Sequence, residues 1–140
     1  MPSRRAYLSG LCVALAGCSA LGGDDERTVF DSNITLGPGE HRAVEFDLEE
    51  EREVEFGVSD VEGGELDVLF VPESELGAYT DGEAFDYRHT SGLAVSDGFS
   101  EDTVSTGAYA VVFDNTDRGE ATPDGRTITC QARVTTHPPE

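Results

Sequence analysis

The sequence contains no lysine and no tryptophan, and its 140 residues include nine basic side chains, all arginine, against 29 acidic ones. The arginines are scattered, whereas nucleic-acid binding needs a clustered basic surface, so nucleic acid is not an expected partner. A formal charge of −20 repels itself strongly in dilute buffer. At molar salt the Debye length falls to about 3 Å, so the composition favours a protein that works in a salty solvent.

Cysteine is too scarce for a fold held together by disulfides. Of the three cysteines, Cys12 and Cys18 lie in an N-terminal segment of different character, which leaves Cys130 without an intramolecular partner. Apolar and polar residues alternate over residues 128–134, and this alternation puts Cys130 on the apolar face of a strand. We therefore expect Cys130 to be a small core residue.

The sequence lacks the motifs of common catalytic sites. His41, His89 and His137 are far apart in the chain, and only one usable cysteine remains. The sequence therefore shows no group of ligands with the spacing of a zinc site. The chain has neither the Gly-x-Ser-x-Gly turn of serine hydrolases nor the third glycine of a dinucleotide-binding loop. We therefore expect a protein that is not an enzyme.

The N-terminal segment differs from the rest because no acidic residue precedes Asp24. Paired arginines followed by an aromatic residue and a leucine resemble the twin-arginine export signal; the four residues are Arg4, Arg5, Tyr7 and Leu8. The apolar stretch that follows is shorter than the ~20 residues that span a bilayer, so it is predicted to be the core of a signal peptide.

Leu15-Ala16-Gly17-Cys18 comes next and resembles the lipobox of lipoprotein signal peptides. Cleavage before Cys18 would make residues 1–17 the signal peptide and residues 18–27 a flexible tether. A diacylglycerol on the Cys18 thiol supplies two acyl chains, which is enough for stable anchoring. This predicts a lipid-anchored protein on the external face of the cell membrane. A general secretory signal can carry the same lipobox, so the export route stays open.

Beyond the tether, apolar and polar residues alternate with a period of two, which is typical of half-buried strands. Strands are predicted over residues 28–36, 44–48, 54–58, 66–71, 93–97, 101–105, 108–113 and 126–135. The second and third are predicted to form an antiparallel hairpin, and residues 72–79 a short helix over one end of the domain. Seven or eight short strands predict an all-β, jelly-roll-like sandwich of two antiparallel sheets over residues 28–136.

Three segments, taken in order, carry a family resemblance. Residues 37–46 are a turn that leads into a strand, residues 65–71 are a strand, and residues 105–116 are a turn and a strand that ends in Asp-Asn-Thr. The series resembles the bacterial pre-peptidase C-terminal type of β-sandwich, and more closely the small lipoproteins of halophilic archaea that share its pattern. The resemblance implies a non-catalytic domain that sometimes aids substrate or surface binding and sometimes holds calcium.

Calcium is the cofactor that the loop after residue 113 fits best. Asp114, Asn115 and Asp117 gather oxygen ligands beside a glycine, as Ca²⁺ requires, although the spacing is not that of an EF-hand. In the alternative interpretation, which we prefer, no cofactor is bound, and Asp114 and Asn115 cap a turn through bonds from side chain to backbone.

Asn33-Ile34-Thr35 is a sequon for N-glycosylation. Such a sequon is meaningful on an exported chain if the asparagine is exposed. Asn33 is therefore a predicted glycosylation site whose use depends on its exposure.

Two functions from different classes remain. In the first, the anchored domain is a binding module that uses one end of the sandwich to hold a protein, a glycan or a solute at the cell surface. In the second, it is a structural envelope component without a specific ligand. Tyr79, Phe85 and Tyr87 lie where the alternation is lost, so their exposure would favour the first function and their burial under the helix the second. We prefer the binding module.

Overall fold

The computed structural model describes residues 26–117, 121 and 124–139. The predicted export and lipidation residues Arg4, Arg5, Tyr7, Leu8 and Cys18 lie outside the described residues. The strands are β1 (Arg27–Leu36), β2 (Glu40–Leu48), β3 (Arg52–Glu62), β4 (Leu66–Pro72), β5 (Gly92–Val95), β6 (Gly98–Val104), β7 (Gly107–Asn115) and β8 (Ile128–His137). One helix, α1 (Glu73–Thr80), lies between β4 and β5.

The strands form two antiparallel four-stranded sheets, which confirms the predicted all-β sandwich. Sheet one has the order β1-β8-β3-β6, and sheet two has the order β2-β7-β4-β5. One long hairpin that is rolled up on itself has the pairs seen here, which are β1 with β8, β2 with β7, β3 with β6 and β4 with β5. This is the jelly-roll arrangement, and α1 lies at the tip of the rolled hairpin.

The predicted hairpin between residues 44–48 and 54–58 is wrong, because β2 and β3 belong to different sheets. β2 pairs with β7, whereas β3 pairs with β6 and β8. The short segment 49–51 carries the chain from one sheet to the other. Alternation shows that each strand buries one face, but both sheets bury one face against each other, so the same pattern fits a hairpin and a crossover.

The inner faces of the two sheets enclose the main apolar core. Its largest side chains include Phe56 of β3 and Phe70 of β4, whose ring centroids are 5.0 Å apart. Cys130 of β8 is 3% exposed within this core, which confirms its prediction as a core residue. Burial raises the pKa of the Cys130 thiol to about 11, so the reactive thiolate is disfavoured.

The outer face of sheet two carries a second apolar layer. It consists of Tyr79 of α1 and of side chains from β4 and β7, which are Leu69, Val71, Ala110 and Val112. The helix therefore lies on a sheet face and not over one end of the sandwich, contrary to the prediction. The reason is β4, which is buried from Leu66 to Val71 and so has apolar side chains on both faces that need cover.

The segment between α1 and β5 ties the two sheets together along one side. Arg88 Nη2 donates to Asp102 Oδ1 at 3.1 Å, and Thr90 Oγ1 donates to Asp102 Oδ2 at 2.8 Å. The backbone N–H of Arg88 also donates to the Phe70 carbonyl at 2.7 Å. Burial opposes ionisation of Asp102, but the bonds from Arg88 and Thr90 more than offset it, so the pKa of Asp102 lies below its ordinary value.

Candidate binding face

The outer face of sheet one differs from that of sheet two because it is polar and partly open to solvent. We call it the bare face. Its residues are Asp31, Asn33 and Thr35 of β1, Thr129, Gln131, Arg133, Thr135 and His137 of β8, Glu53, Glu55 and Gly57 of β3, and Phe99, Glu101 and Thr103 of β6. Period-two alternation puts them there, because their chain neighbours Ile34, Val54 and Val134 point into the core.

Phe99 is the large apolar side chain of the bare face and is 40% exposed. The Arg133 guanidinium carbon lies 4.9 Å from the Phe99 ring centroid, and Arg133 Nη2 lies 3.5 Å from Glu55 Oε1. Gly57 is the cross-strand partner of Phe99. A Cβ at Gly57 would lie 2.1 Å from the Gly98 carbonyl oxygen and 2.8 Å from Phe99 Cδ2. Gly57 therefore leaves room for the ring, and Arg133 holds it in place.

A second group on the bare face joins an imidazole and two carboxylates. His137 lies opposite Glu53 in the β8–β3 register, with 3.2 Å between His137 Nε2 and Glu53 Oε1. The carboxylate of Glu101 on β6 lies beside this pair. One nitrogen or oxygen atom from each of the three side chains lies within 4.8 Å of the other two. His137 and Glu53 are about a quarter exposed, and Glu101 is exposed.

Sequence reasoning missed this group because it compared the histidines with one another and with the cysteines. The three residues come from three strands that are distant in the chain, and strand pairing brings them together. One signal was available, since alternation places Glu53 on the polar face of its strand. His137 lies beyond the predicted end of the last strand, and the observed strand extends to it.

The structure separates the three predicted calcium ligands. Asp114 shares the outer face of sheet two with Val112, Asn115 points to the opposite face of β7, and Asp117 is exposed. The Asn115 amide nitrogen donates to the carbonyls of Leu36, Gly37 and Arg126, which joins the ends of β1 and β7 to the turn before β8. Calcium binding in this loop stays a prediction.

Asp114 forms the turn cap that the alternative interpretation predicts. Its Oδ1 accepts a hydrogen bond from the Thr116 backbone N–H at 2.7 Å. Asp114 lies opposite Asp67 in the β7–β4 register, and both are fully buried. Asp67 Oδ1 accepts bonds from the backbone N–H groups of Ala94 at 2.8 Å and Ala121 at 3.2 Å. Asp67 therefore ties β5 and the segment at Ala121 to β4, and Asp114 caps the turn that follows β7.

The three predicted binding aromatics do not form one exposed cluster. Tyr79 of α1 is 3% exposed, Phe85 is half-buried, and Tyr87 is 43% exposed. Their rings are in contact, with centroids 5.3 Å apart for Tyr79 and Phe85 and 5.8 Å apart for Phe85 and Tyr87. His41 meets Tyr79 edge to face at 5.1 Å. The row begins in the second apolar layer and ends in solvent, so it favours neither function by itself.

Asn33, the sequon asparagine, is exposed on β1 at one edge of the bare face. Its cross-strand partner is Gln131 of β8, and Gln131 Nε2 donates to Asp31 Oδ1 at 2.6 Å beside it. The exposure that glycosylation needs is present, and glycosylation of Asn33 stays a prediction.

The single described helix, α1, has eight residues, and no helix in the described part of the chain is long and apolar enough to cross a membrane. No protein-family model matches the chain, and no curated protein matches it. The family resemblance therefore stays a prediction.

Proposed function

We propose that this protein is a lipid-anchored, non-catalytic binding module on the external face of a halophile's cell membrane, and that the bare face holds its ligand. The observation that carries the proposal is the exposed Phe99 ring, which Gly57 and Arg133 position on a regular strand. Sheet two covers the apolar side chains of its outer face with α1, whereas sheet one leaves this ring open. Aromatic and arginine side chains are the usual anchors of recognition surfaces.

The shape of the bare face favours an extended ligand. Sites for small molecules are concave and mostly apolar, whereas the outer face of a four-stranded sheet is open and, here, polar. An extended ligand, such as a glycan chain or the surface of a partner protein, can cover Phe99 and reach the carboxylate of Glu55 and the amide of Gln131 at the same time. We therefore expect a glycan or a protein as the ligand.

The charge of the molecule supports contact at short range. At molar salt, screening over about 3 Å removes long-range repulsion between an acidic surface and its ligand. Stacking on Phe99 and hydrogen bonds to neighbouring side chains then decide the affinity. The twin-arginine and lipobox motifs, with the acidic composition, support a position outside a halophile's membrane and attachment through Cys18.

The binding test compares wild type with Phe99→Ala and with the matched control Tyr87→Ala, which removes the exposed ring on the other side of the molecule. Crosslinking and pull-down from intact membranes at native salt detect a protein ligand, and cosedimentation with purified envelope glycan detects a glycan. We expect Phe99→Ala to weaken binding about tenfold or more, as for a central aromatic anchor, and Tyr87→Ala to bind as wild type does. Equal binding by both variants would contradict the proposal.

The anchoring test follows the same protein in membrane and soluble fractions. We expect wild type in the membrane fraction and Cys18→Ala in the soluble fraction. Wild type in the soluble fraction would contradict the lipid anchor. Membrane-bound wild type that recovers neither a glycan nor a protein would instead support the alternative, a structural envelope component without a specific ligand.

A further inference from the structure

We infer that Glu53, Glu101 and His137 form a binding site for a divalent transition metal of the zinc class at one end of the bare face. The inference goes beyond the proposed function, because the inferred ligand is a metal ion and not the proposed glycan or protein. Its binding can be measured without either of them. It differs from the predicted calcium site in place, in donor set and in strands. Its three residues come from β3, β6 and β8, all in sheet one.

The donor set is mixed, with one imidazole nitrogen and two carboxylates. Imidazole suits zinc and its neighbours in the first transition series, whereas Ca²⁺ and Mg²⁺ prefer oxygen ligands alone. Three protein ligands also leave a coordination position for water, as in open zinc sites. The donor chemistry therefore selects a transition metal and not the hard cations that are abundant in a salty solvent.

The distances fit ligands that share one ion. Two ligand atoms bound to zinc at 2.0–2.2 Å in a tetrahedral arrangement lie about 3.4 Å apart. His137 Nε2 and Glu53 Oε1 are 3.2 Å apart, and both side chains are held by paired strands. Glu101 is exposed and its carboxylate lies within 4.8 Å of the other two ligand atoms, so a small change of its side-chain torsions completes the site.

Two further features of the surroundings favour a bound cation. In the β3–β6 register Glu101 lies directly opposite Glu55 and diagonally opposite Glu53, and like charges opposite each other on paired strands are destabilising unless a positive charge lies near them. Thr135 precedes His137 by two residues on the same face of β8 and is 4% exposed. Its Oγ1 is buried and has no hydrogen-bond partner among the described residues, and such an oxygen ordinarily has a partner such as an ordered water.

A hydrogen bond between His137 and Glu53, with Glu101 nearby by chance, is the competing explanation. The two explanations differ in what they expect of His137→Gln. A site that binds metal loses its nitrogen ligand in this variant. A surface that attracts cations only through its charge keeps all of its acidic residues in this variant and binds Zn²⁺ as before.

The test is a calorimetric titration of the purified, metal-stripped full-length protein with Zn²⁺ in molar KCl, which suppresses nonspecific attraction to the acidic surface. We expect one Zn²⁺ per chain for wild type, and a loss of affinity of at least about tenfold for His137→Gln and for Glu101→Gln, since even the loss of a residue that only hydrogen-bonds to a metal ligand lowers metal affinity about 10–100-fold. The matched controls are Asp31→Asn, a carboxylate of the same face on the edge strand β1, and His89→Gln, an exposed histidine outside the face. Both are expected to bind as wild type does.

Three results would overturn the inference. One is the absence of saturable Zn²⁺ binding by wild type, and another is equal affinity in wild type, His137→Gln and Glu101→Gln. The third is tighter binding of Ca²⁺ than of Zn²⁺, with no effect of His137→Gln, because this describes an oxygen-only site. Circular dichroism of each variant checks that it is folded. Failure of the glycan and protein binding tests would leave this result unaffected, since the titration needs neither ligand.

Discussion

The two sheets have the same number of strands and share one core, yet their outer faces have opposite characters. Sheet two presents Leu69, Val112 and their neighbours outward and covers them with α1. Sheet one presents carboxylates, amides and hydroxyls, with Phe99 exposed among them. Covering a sheet face stabilises the fold, and leaving a face open makes it available to other molecules. Because of this difference we expect the outer face of sheet two to contribute more to stability, and we propose that of sheet one for recognition.

The comparison is tested most strongly by truncating one outward side chain on each sheet. Leu69→Ala removes a fully buried side chain from the second apolar layer, and we expect it to lower the free energy of unfolding by about 2–5 kcal/mol. Thr129→Ala, on the exposed side of β8, is the matched change on sheet one, with an expected effect within about 0.5 kcal/mol. Urea denaturation of both variants in molar KCl measures the two values. Similar losses would show that the faces do not differ in this way.

A methyl group added at Gly57 tests how tightly the bare face is built. The Cβ would meet the Gly98 carbonyl and the Phe99 ring, so Gly57→Ala should destabilise the protein by about 1–3 kcal/mol, as overpacking does. Gly77→Ala in α1 is the control, because nothing lies within 4 Å of its added Cβ. We expect this control to stabilise the helix by about 0.4–1 kcal/mol. Thermal unfolding of both variants measures the two effects. A change of stability in the same direction for both would contradict the close approach of Gly57 to the Phe99 strand.

The hydrogen bonds of Asp102, which tie the two sheets together, predict how the free energy of unfolding depends on pH. Asp102→Asn weakens the bonds from Arg88 and Thr90, and we expect a loss of about 1–2 kcal/mol at pH 7 after allowing for the partial exposure of Arg88. Because the folded-state pKa of Asp102 is lowered, its stabilisation is present above the unfolded value near 4 and is lost as pH falls through the folded value. Denaturation at a series of pH values should therefore show wild type and variant converging in acid. A constant gap would contradict this.

The smallest stability effect is expected where the largest binding effect is proposed. Phe99→Ala should change the free energy of unfolding by less than about 1 kcal/mol, since the ring is 40% exposed and lies over a glycine on one strand and beside the Arg133 guanidinium on another. Urea denaturation alongside Leu69→Ala gives the value. A loss as large as that of Leu69→Ala would mean that Phe99 is a packing residue, and the bare face would lose its anchor.

Much of the fold could be predicted because the local alternation of apolar and polar residues identifies each strand. Alternation located all eight strands to within a few residues, and it identified Cys130 as a core residue. The partner of each strand could not be predicted, because β2 and β3 have the same period whether they pair or cross between sheets. The position of α1 was wrong for a related reason, since it depends on which face of β4 is left over once the sheets have packed.

The candidate sites divide in the same manner. Asp114 and Asn115 are neighbours in sequence, and period-two geometry sends them to opposite faces of β7. Glu53, Glu101 and His137 are distant in sequence, and the β3–β6 and β3–β8 registers bring them together. Closeness along a strand is therefore a poor guide to a shared site in this fold.

The sequence by itself determined the charge of the molecule, the strands, and the burial of one face of most of them, because these depend on composition and on local period. The tertiary structure alone decided which strands pair, which outer face is covered, and which polar side chains meet. The physical reason is that a jelly roll pairs its first strand with its last and its third with its sixth, so its contacts form between residues with no local relation. The exposed Phe99 and the Glu53, Glu101 and His137 group are both products of that pairing.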